Sequence, residues 1–210
     1  MDAGFPADAA GAMMIECHID DRGTLRFIPI PKNAGTSIIS AMFDLHGTVE
    51  EIHANKPRRG PWTESGYRTF AVVRSPWHRF ISTWANKVHH PHRPDTALIR
   101  EHGVPLGASL EAFLDIVEER GAMGLDGHVR PQVSFLPPSG VTLLRFEHLD
   151  YDWCEDGFER VYGPLGRYNC STRPRGKEML ATQYRVENLY AEDVALWEKV
   201  CAARARDLSL

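Results

Sequence analysis

The segment RFIPIPKNAGTSIISAMF, from Arg26 to Phe43, constrains the fold more than any other part of the chain. Its first half is a short apolar run bounded by proline, which predicts a buried β-strand over residues 24–31. Apolar residues at helical spacing follow, and they predict a helix that begins at Gly35 and ends at Gly47. A buried strand that turns sharply into a helix is a building unit of α/β proteins.

The same alternation of strands and helices continues along the chain. Apolar runs predict further strands over residues 67–74 and 141–149, and a helix over residues 109–121 lies between them. Ser75 is suited to a helix N-cap and Pro76 to the first helical position, so another helix should follow the second strand. We therefore predict an α/β fold with a mainly parallel, P-loop-like sheet flanked by helices.

The sequence predicts a single domain. A length of 210 residues is enough for one sizeable core, and no linker, repeat or low-complexity segment divides the chain. A final amphipathic helix is predicted over residues 186–206. We predict one domain over residues 15–210 and a loosely ordered N-terminus over residues 1–14, because the latter residues are small and irregular.

Composition and charge exclude several classes of protein. The formal net charge is −4, whereas proteins that bind nucleic acid by neutralising phosphates are usually basic, so no nucleic-acid partner is expected. No stretch approaches the roughly 20 apolar residues of a membrane span, and no secretory signal opens the chain. The four cysteines are scattered without a C-x-x-C pair, which argues against disulfides and a cysteine zinc site. We therefore expect a soluble cytoplasmic protein.

A histidine cluster at His89, His90 and His92 raises the possibility of a metal site. Histidine ligands normally occur with carboxylates or thiols at helical spacing. This segment is instead broken by proline, and Asp95 is the acidic residue near it. We therefore expect a solvated loop without a metal.

The turn before the first helix has the composition of an anion site. The first amides of a helix have no partner within it and bind anions readily, and here they belong to residues 35–38. Thr36 and Ser37 add hydroxyl groups, and Lys32 adds a positive charge. The lysine precedes the glycine, whereas in the usual phosphate loop, G-x-x-x-x-G-K-[ST], it follows the last glycine. The alternative is an ordinary turn in which Lys32 is solvated.

A second anion site is predicted after the second strand. Arg74 ends that strand, and Ser82 lies almost two turns into the next helix, with Arg79 on a neighbouring face. An arginine can direct two donors at one phosphate, and a serine adds a hydroxyl. In the alternative interpretation, Arg74 pairs with a nearby acid and Ser82 has no special role. Two such sites indicate a ligand with separated phosphates.

These motifs resemble those of sulfotransferases that use 3′-phosphoadenosine 5′-phosphosulfate (PAPS), particularly small bacterial relatives of the carbohydrate sulfotransferase branch. PKNAGTS resembles the family's 5′-phosphosulfate loop, and VVRSPWHRFIS resembles its 3′-phosphate motif. Further similar segments follow in the family's order, namely EEIHANK, GHVRPQVSFL, LLRFEHLDYDW, YNCSTRPRGK and ENLYAEDVALW. The likeness spans about residues 24–200. The chain departs from some relatives at residues 137–139, where it has Pro-Pro-Ser and they have cysteines.

The resemblance implies a set of donor-binding residues. The 5′ loop would comprise Lys32, Asn33, Ala34, Gly35, Thr36 and Ser37. Arg74 and Ser82 would bind the 3′-phosphate, and a basic loop with Arg173 and Arg175 would close over the nucleotide. A solvated basic loop is the alternative for the last two residues. Lys32 would also act in catalysis by stabilising negative charge on the oxygen that leaves the sulfuryl group.

An acceptor hydroxyl also needs a general base. His53 occupies the position at which the resembled family places a catalytic histidine, and an imidazole titrates near neutrality. His128 is the second candidate, with Arg130 and Gln132 as possible acceptor contacts. The alternatives are a surface histidine at position 53 and a packing histidine at position 128.

The predicted function is sulfuryl transfer from PAPS to a hydroxyl of a small-molecule or glycan acceptor. The resemblance favours a carbohydrate or another alcohol over a phenol or a peptide tyrosine. No metal is expected, because a sulfuryl group carries less negative charge than a terminal phosphoryl group and no acidic residue follows a strand as a magnesium ligand would. Two alternatives stay open: a P-loop kinase for a small metabolite, and a nucleotide-binding module without activity.

Overall fold

In the computed structural model, strands and helices alternate around one sheet. The structure describes residues 15–20, 24–56, 59–61, 66–89, 96–168 and 179–207. The strands are β1 (Glu16–Ile19), β2 (Leu25–Ile28), β3 (Arg59–Pro61), β4 (Arg68–Val73) and β5 (Val141–Arg145). The helices are α1 (Gly35–Phe43), α2 (Val49–Ala54), α3 (Pro76–Lys87), α4 (Ala97–Arg100), α5 (Leu110–Arg120), α6 (Leu149–Glu155), α7 (Phe158–Tyr162), α8 (Met179–Leu189) and α9 (Ala191–Asp207).

The strand order across the sheet is β3-β1-β2-β4-β5. β4 lies at the centre of a parallel unit, with Phe27 of β2 opposite Phe70 on one side and Leu143 of β5 opposite Ala71 on the other. β1 pairs antiparallel with both β2 and β3 and extends the sheet at one side. The predicted α/β fold, with a P-loop-like sheet flanked by helices, is confirmed. The carboxyl ends of β2 and β4 consequently lie side by side.

Both faces of the parallel strands are buried. Side chains alternate along a strand, so Phe27 and Phe70 pack on one face against a cluster that includes Trp153 and is formed by α1, α2, α6 and α7. Ile28 and Ala71 pack on the opposite face. A third cluster joins α3 to α5 and α8. Burial on both faces explains why these strands are continuous apolar runs in the sequence.

Helix α1 ends at Phe43, before the predicted end at Gly47. Asp44 adopts a left-handed conformation with φ of 51°, and its backbone N–H donates to the Ser40 carbonyl. This left-handed residue closes the helix one turn earlier than glycine would. The helix start is as predicted, because α1 begins at Gly35.

Two predicted elements in the second half of the chain are shorter than expected. The strand predicted over residues 141–149 ends at Arg145, because Asp152 binds the Arg145 backbone N–H at 2.7 Å and its Nη2 at 2.6 Å and so turns the chain into α6. The predicted final helix is divided into α8 and α9 at Tyr190, whose hydroxyl donates to the Val129 carbonyl at 2.5 Å. Both differences arise from contacts between residues that a local pattern does not connect.

Some predictions concern residues outside the described ranges. They include the loose N-terminus at residues 1–14, the basic residues Arg173 and Arg175, and two of the three clustered histidines, His90 and His92. The third, His89, stacks on Trp84 with ring centroids 4.6 Å apart. Among the described residues, no group of three or more His, Cys, Asp or Glu could hold a metal ion. The helices described here are all too short or too polar to cross a membrane.

Candidate functional site

The loop that joins β2 to α1 has an unusual backbone. Lys32 and Ala34 have φ angles of 71° and 62°, in the left-handed region. This conformation costs roughly 1–2 kcal/mol for a residue with a Cβ atom. The Asn33 N–H donates to the Ile30 carbonyl at 3.2 Å and closes the turn between them. Strained backbone of this kind concentrates at ligand sites, so the conformation supports a binding role for the loop.

The first amides of α1 follow this turn directly. The Ile38 N–H donates to the Ala34 carbonyl at 3.1 Å, so the amides of residues 35–37 precede the first intrahelical hydrogen bond. No side chain caps the helix at Ala34. A left-handed residue followed by a helical one turns successive N–H groups toward a common point, which is an anion-binding geometry. The backbone at the start of α1 therefore has the geometry of the predicted anion site.

Gly35 has open space where a side chain would be. A Cβ atom built on it meets no protein atom within 4 Å. The fold itself therefore does not require glycine at this position. The open space adjoins the first amides of α1, where an approaching anion would need it.

A buried hydrogen-bond network, which we call the Gln132 network, connects this loop to the end of β4. Asn33 Nδ2 donates to the Val72 carbonyl at 2.7 Å and to Gln132 Oε1 at 2.6 Å. Gln132 Nε2 donates to the Arg74 carbonyl at 2.8 Å, and the Arg74 N–H donates to Gln132 Oε1 at 3.0 Å. Asn33 is 1% exposed and Gln132 is fully buried. The side chains of Asn33 and Gln132 are therefore engaged inside the protein, and Gln132 is not placed to contact an acceptor.

Arg74 lies at the carboxyl end of β4, beside the loop, as predicted. Its Nη1 donates to the Lys32 carbonyl at 2.8 Å, and its guanidinium carbon lies 3.9 Å from the centre of the Phe146 ring. These contacts fix the plane of the guanidinium group. Ser82 lies on α3 and is 4% exposed. The two candidate anion sites are thus in direct contact through Lys32 and Arg74.

Arg79, which the sequence placed within the predicted 3′-phosphate motif, connects two loops of the site. Its guanidinium group donates to the carbonyls of Pro31 at 3.1 Å, Arg130 at 2.8 Å and Gly127 at 3.3 Å. Burial lowers the pKa of Arg79 from its usual value, while nearby Asp193 and other acidic groups oppose the shift. A buried cation bound to three carbonyls holds the loop before α1 against residues 127–130. The sequence contains no local signal for this, because all three acceptors are backbone atoms.

His53 is brought next to the loop by α2. A capping box at Thr48 and Glu51 begins this helix, and Ile52, which is 1% exposed, anchors it in the core. His53 itself is exposed, with its Nε2 3.0 Å from Thr36 Oγ1. The predicted base candidate therefore adjoins the predicted anion site, on the side that solvent reaches.

His128 belongs to the segment 127–130 that Arg79 holds against the same loop. Its Nδ1 lies 3.1 Å from Asp126 Oδ2, and its carbonyl accepts from Thr83 Oγ1 at 3.0 Å. Burial lowers the pKa of His128 from its usual value; Asp126 opposes this shift, and the charges of Lys87 and Lys32 add to it. An imidazole that donates Nδ1–H to a carboxylate keeps Nε2 as an acceptor. This arrangement agrees with the prediction of His128 as the second candidate base.

Asp193 anchors the Gln132 network from the far end of the chain. It lies on α9, is fully buried, and accepts the N–H groups of Gln132 at 2.7 Å and Val133 at 3.0 Å. Burial raises the pKa of Asp193, and the two backbone hydrogen bonds oppose that shift. An acid at helical spacing from the apolar residues Leu196, Trp197 and Val200 was the available sequence signal, because an acid on a buried face needs a partner.

Comparison with known proteins identifies the family. The profile described as the sulfotransferase family matches residues 16–155, which are 140 of the 210 residues. Neither the curated proteins nor the solved structures gave a match. The matched segment contains the loop before α1, both candidate histidines, Arg74 and the Gln132 side chain. By this match and by its fold, the chain belongs to the sulfotransferase family, whose members are enzymes that transfer sulfuryl groups.

Proposed function

We propose that this protein transfers a sulfuryl group from PAPS to a hydroxyl of a small molecule or glycan, with a carbohydrate or another alcohol as the acceptor class. The observation that carries the proposal is the 2.8 Å hydrogen bond from Arg74 Nη1 to the Lys32 carbonyl, which sets two candidate anion sites side by side. PAPS is anionic at both its 5′ and 3′ positions, and the sulfotransferase family generally uses it. The open space at Gly35 and the amides beside it suit the 5′ end.

In the proposed reaction, the acceptor oxygen bonds to sulfur while the bond from sulfur to the bridging 5′-phosphate oxygen breaks. The acceptor proton passes to His53. Lys32 and the amides of Gly35 and Thr36 stabilise the negative charge that develops on the departing phosphate. Lys32 supplies charge that a magnesium ion supplies in phosphoryl transfer, so the proposal includes no metal.

His53 is the first candidate for the base because it is exposed beside Thr36, where an acceptor from solvent can approach. His128 is the second candidate because Asp126 orients it and keeps its Nε2 available. His53 contacts Thr36, and the charge of Lys32 acts on His128, so both histidines lie near the loop before α1. Transfer rates of the two alanine variants across pH distinguish them.

The test of the proposed function is a sulfate-transfer screen with PAPS across sugars, other alcohols, phenols and tyrosine peptides. We expect transfer to a sugar or another alcohol, and tight binding of adenosine 3′,5′-bisphosphate but not of ATP. Tight ATP binding without bisphosphate binding would favour the small-metabolite kinase. Bisphosphate binding without transfer to any acceptor class would favour the nucleotide-binding module.

Replacing Gly35 with alanine should weaken donor binding without lowering the stability of the protein. Because a Cβ atom there meets no protein atom, we expect the stability to be unchanged or raised by about 0.4–1 kcal/mol. The same methyl group would occupy space proposed for the sulfate end of the donor, so affinity should fall by about tenfold or more. Thermal unfolding and calorimetry measure the two effects. Gly124→Ala, which is equally open in the fold, is the control, and normal donor binding by Gly35→Ala would contradict the proposed site.

Replacing Ser82 with alanine should weaken binding of 3′-phosphorylated nucleotides selectively. Hydrogen bonds to a charged group contribute about 1.5–3 kcal/mol, or roughly tenfold to a hundredfold in affinity. Binding of adenosine 5′-phosphosulfate, which lacks the 3′-phosphate, should not change. Arg74→Ala should weaken binding of both nucleotides, because Arg74 also holds the Lys32 carbonyl. Calorimetry that shows equal losses for both nucleotides in Ser82→Ala would remove Ser82 from the 3′ site.

A further inference from the structure

We infer that Gln132 is a positioning residue that holds the two anion sites at a fixed separation and thereby makes binding of a doubly phosphorylated nucleotide cooperative. The inference rests on the proposed function and adds a residue to it. It assigns to Gln132 a role inside the protein rather than the acceptor contact that the sequence suggested.

The geometry of one side-chain amide carries the inference. Gln132 Oε1 accepts from Asn33 Nδ2 at 2.6 Å and from the Arg74 N–H at 3.0 Å, while Nε2 donates to the Arg74 carbonyl at 2.8 Å. Asn33 belongs to the 5′ site and Arg74 to the 3′ site. The buried amide of Gln132 thus contacts both sites, through its oxygen and its nitrogen. Asn33 and Arg74 can both be within hydrogen-bonding distance of this amide only if the distance between them is fixed.

The position of Gln132 is itself fixed from outside the site. Its backbone N–H and that of Val133 donate to the two carboxylate oxygens of Asp193 on α9. Ser134 Oγ donates to the Pro131 carbonyl at 2.7 Å within the same turn. The main chain of Gln132 is therefore held in place independently of the hydrogen bonds that its side chain makes to the two sites. Burial of the whole residue strengthens each of these hydrogen bonds relative to water.

A fixed separation has a measurable consequence for binding. When two sites are held at the spacing of two linked groups, the second group binds at a high effective concentration, which raises overall affinity by about 10²–10⁴-fold. If the spacing becomes variable, that advantage falls although each site is intact. Loss of the Gln132 amide should therefore lower the affinity for bisphosphates far more than the affinity for monophosphates.

The experiment compares the affinities of adenosine 3′,5′-bisphosphate, adenosine 3′-monophosphate and adenosine 5′-monophosphate by calorimetry. In wild type, the bisphosphate should bind more tightly than either monophosphate by about 10²-fold or more. Gln132→Met keeps the side-chain volume and removes the amide. In this variant the ratio of bisphosphate affinity to monophosphate affinity should fall by about tenfold or more, with monophosphate affinities changed by less than about threefold. Gln183→Met is the matched control, since Gln183 lies on α8 and bonds to Glu187.

A second variant keeps the test decisive if Gln132→Met does not fold. Asn33→Ala removes the bonds from Asn33 to Gln132 and to the Val72 carbonyl and leaves the bonds between Gln132 and Arg74 in place. It should also reduce the ratio, and the two changes together should be less than additive. A wild type without any preference for the bisphosphate would contradict the proposed function itself. If the wild type prefers the bisphosphate and the variants keep that preference, the role of Gln132 alone is overturned. The same holds if the variants lose affinity equally for all three nucleotides.

Discussion

Replacing His53 with alanine is expected to slow single-turnover sulfuryl transfer by about 10²–10⁴-fold, the usual contribution of a general base. Donor affinity should stay nearly unchanged, because the proposed donor contacts belong to the loop before α1 and to Arg74 and Ser82. His53 adjoins that loop through Thr36 Oγ1, 3.0 Å away, and its exposed side allows an acceptor hydroxyl to reach it. Rapid-quench transfer assays with parallel nucleotide titration measure both quantities.

The pH dependence of the rate distinguishes the two histidines. A base must be neutral, so the wild-type rate should fall at acid pH as the imidazole is protonated. Burial lowers the pKa of His128 from the usual 6.5, so an acid limb caused by His128 would lie below that pH. With His53 as the base, the wild-type acid limb should disappear from the residual activity of His53→Ala. His46→Ala, at an exposed histidine outside the site, is the control. Normal transfer by His53→Ala and none by His128→Ala would assign the base to His128.

Replacing Lys32 with alanine is expected to reduce turnover by about 100-fold or more, with a smaller effect on donor affinity. The charge of Lys32 matters most when the departing phosphate oxygen becomes negative. The backbone should be conserved, because alanine has the same steric cost at a φ of 71° and the contact with Arg74 uses the Lys32 carbonyl. Pre-steady-state transfer and calorimetry measure the two effects, and Lys199→Ala, at an exposed position on α9, is the control.

A second measurement tests the placement of Lys32. Its charge is among the causes that lower the pKa of His128, so Lys32→Ala should raise that pKa, which an NMR titration of the histidine can follow. Near-normal turnover of Lys32→Ala with the best acceptor would show that Lys32 does not stabilise the leaving group. An unchanged pKa of His128 would show that the two side chains do not interact.

The local motifs of the site could be predicted from the sequence, since each lies within a short segment. Lys32 before α1, Gly35 at its start and Arg74 at the end of β4 occur where parallel strands end, and neighbouring strands bring such ends together. His53 was predicted from the resemblance to the family, and α2 carries it next to the loop. Their roles in binding and catalysis stay predictions.

The parts that sequence reasoning missed depend on contacts between distant residues. Gln132 is 99 positions from Asn33, and Asp193 is 61 positions from Gln132. A glutamine in an irregular segment gives no local sign that it is buried. Strands β1 and β3 were missed for a related reason, because they have four and three residues and are too short for a clear alternating pattern.

The family match ends at residue 155, yet the carboxylate that holds the Gln132 backbone belongs to Asp193. A local opening that separates α9 from the turn at residues 131–134 would remove that acceptor and release the amide between Asn33 and Arg74. Residues that share such an opening exchange their amide hydrogens with one common free energy. We therefore expect the C-terminal helix, the Gln132 turn and the loop before α1 to open as one unit in hydrogen exchange, so that the proposed nucleotide site loses its order when α9 detaches while the central strands stay paired.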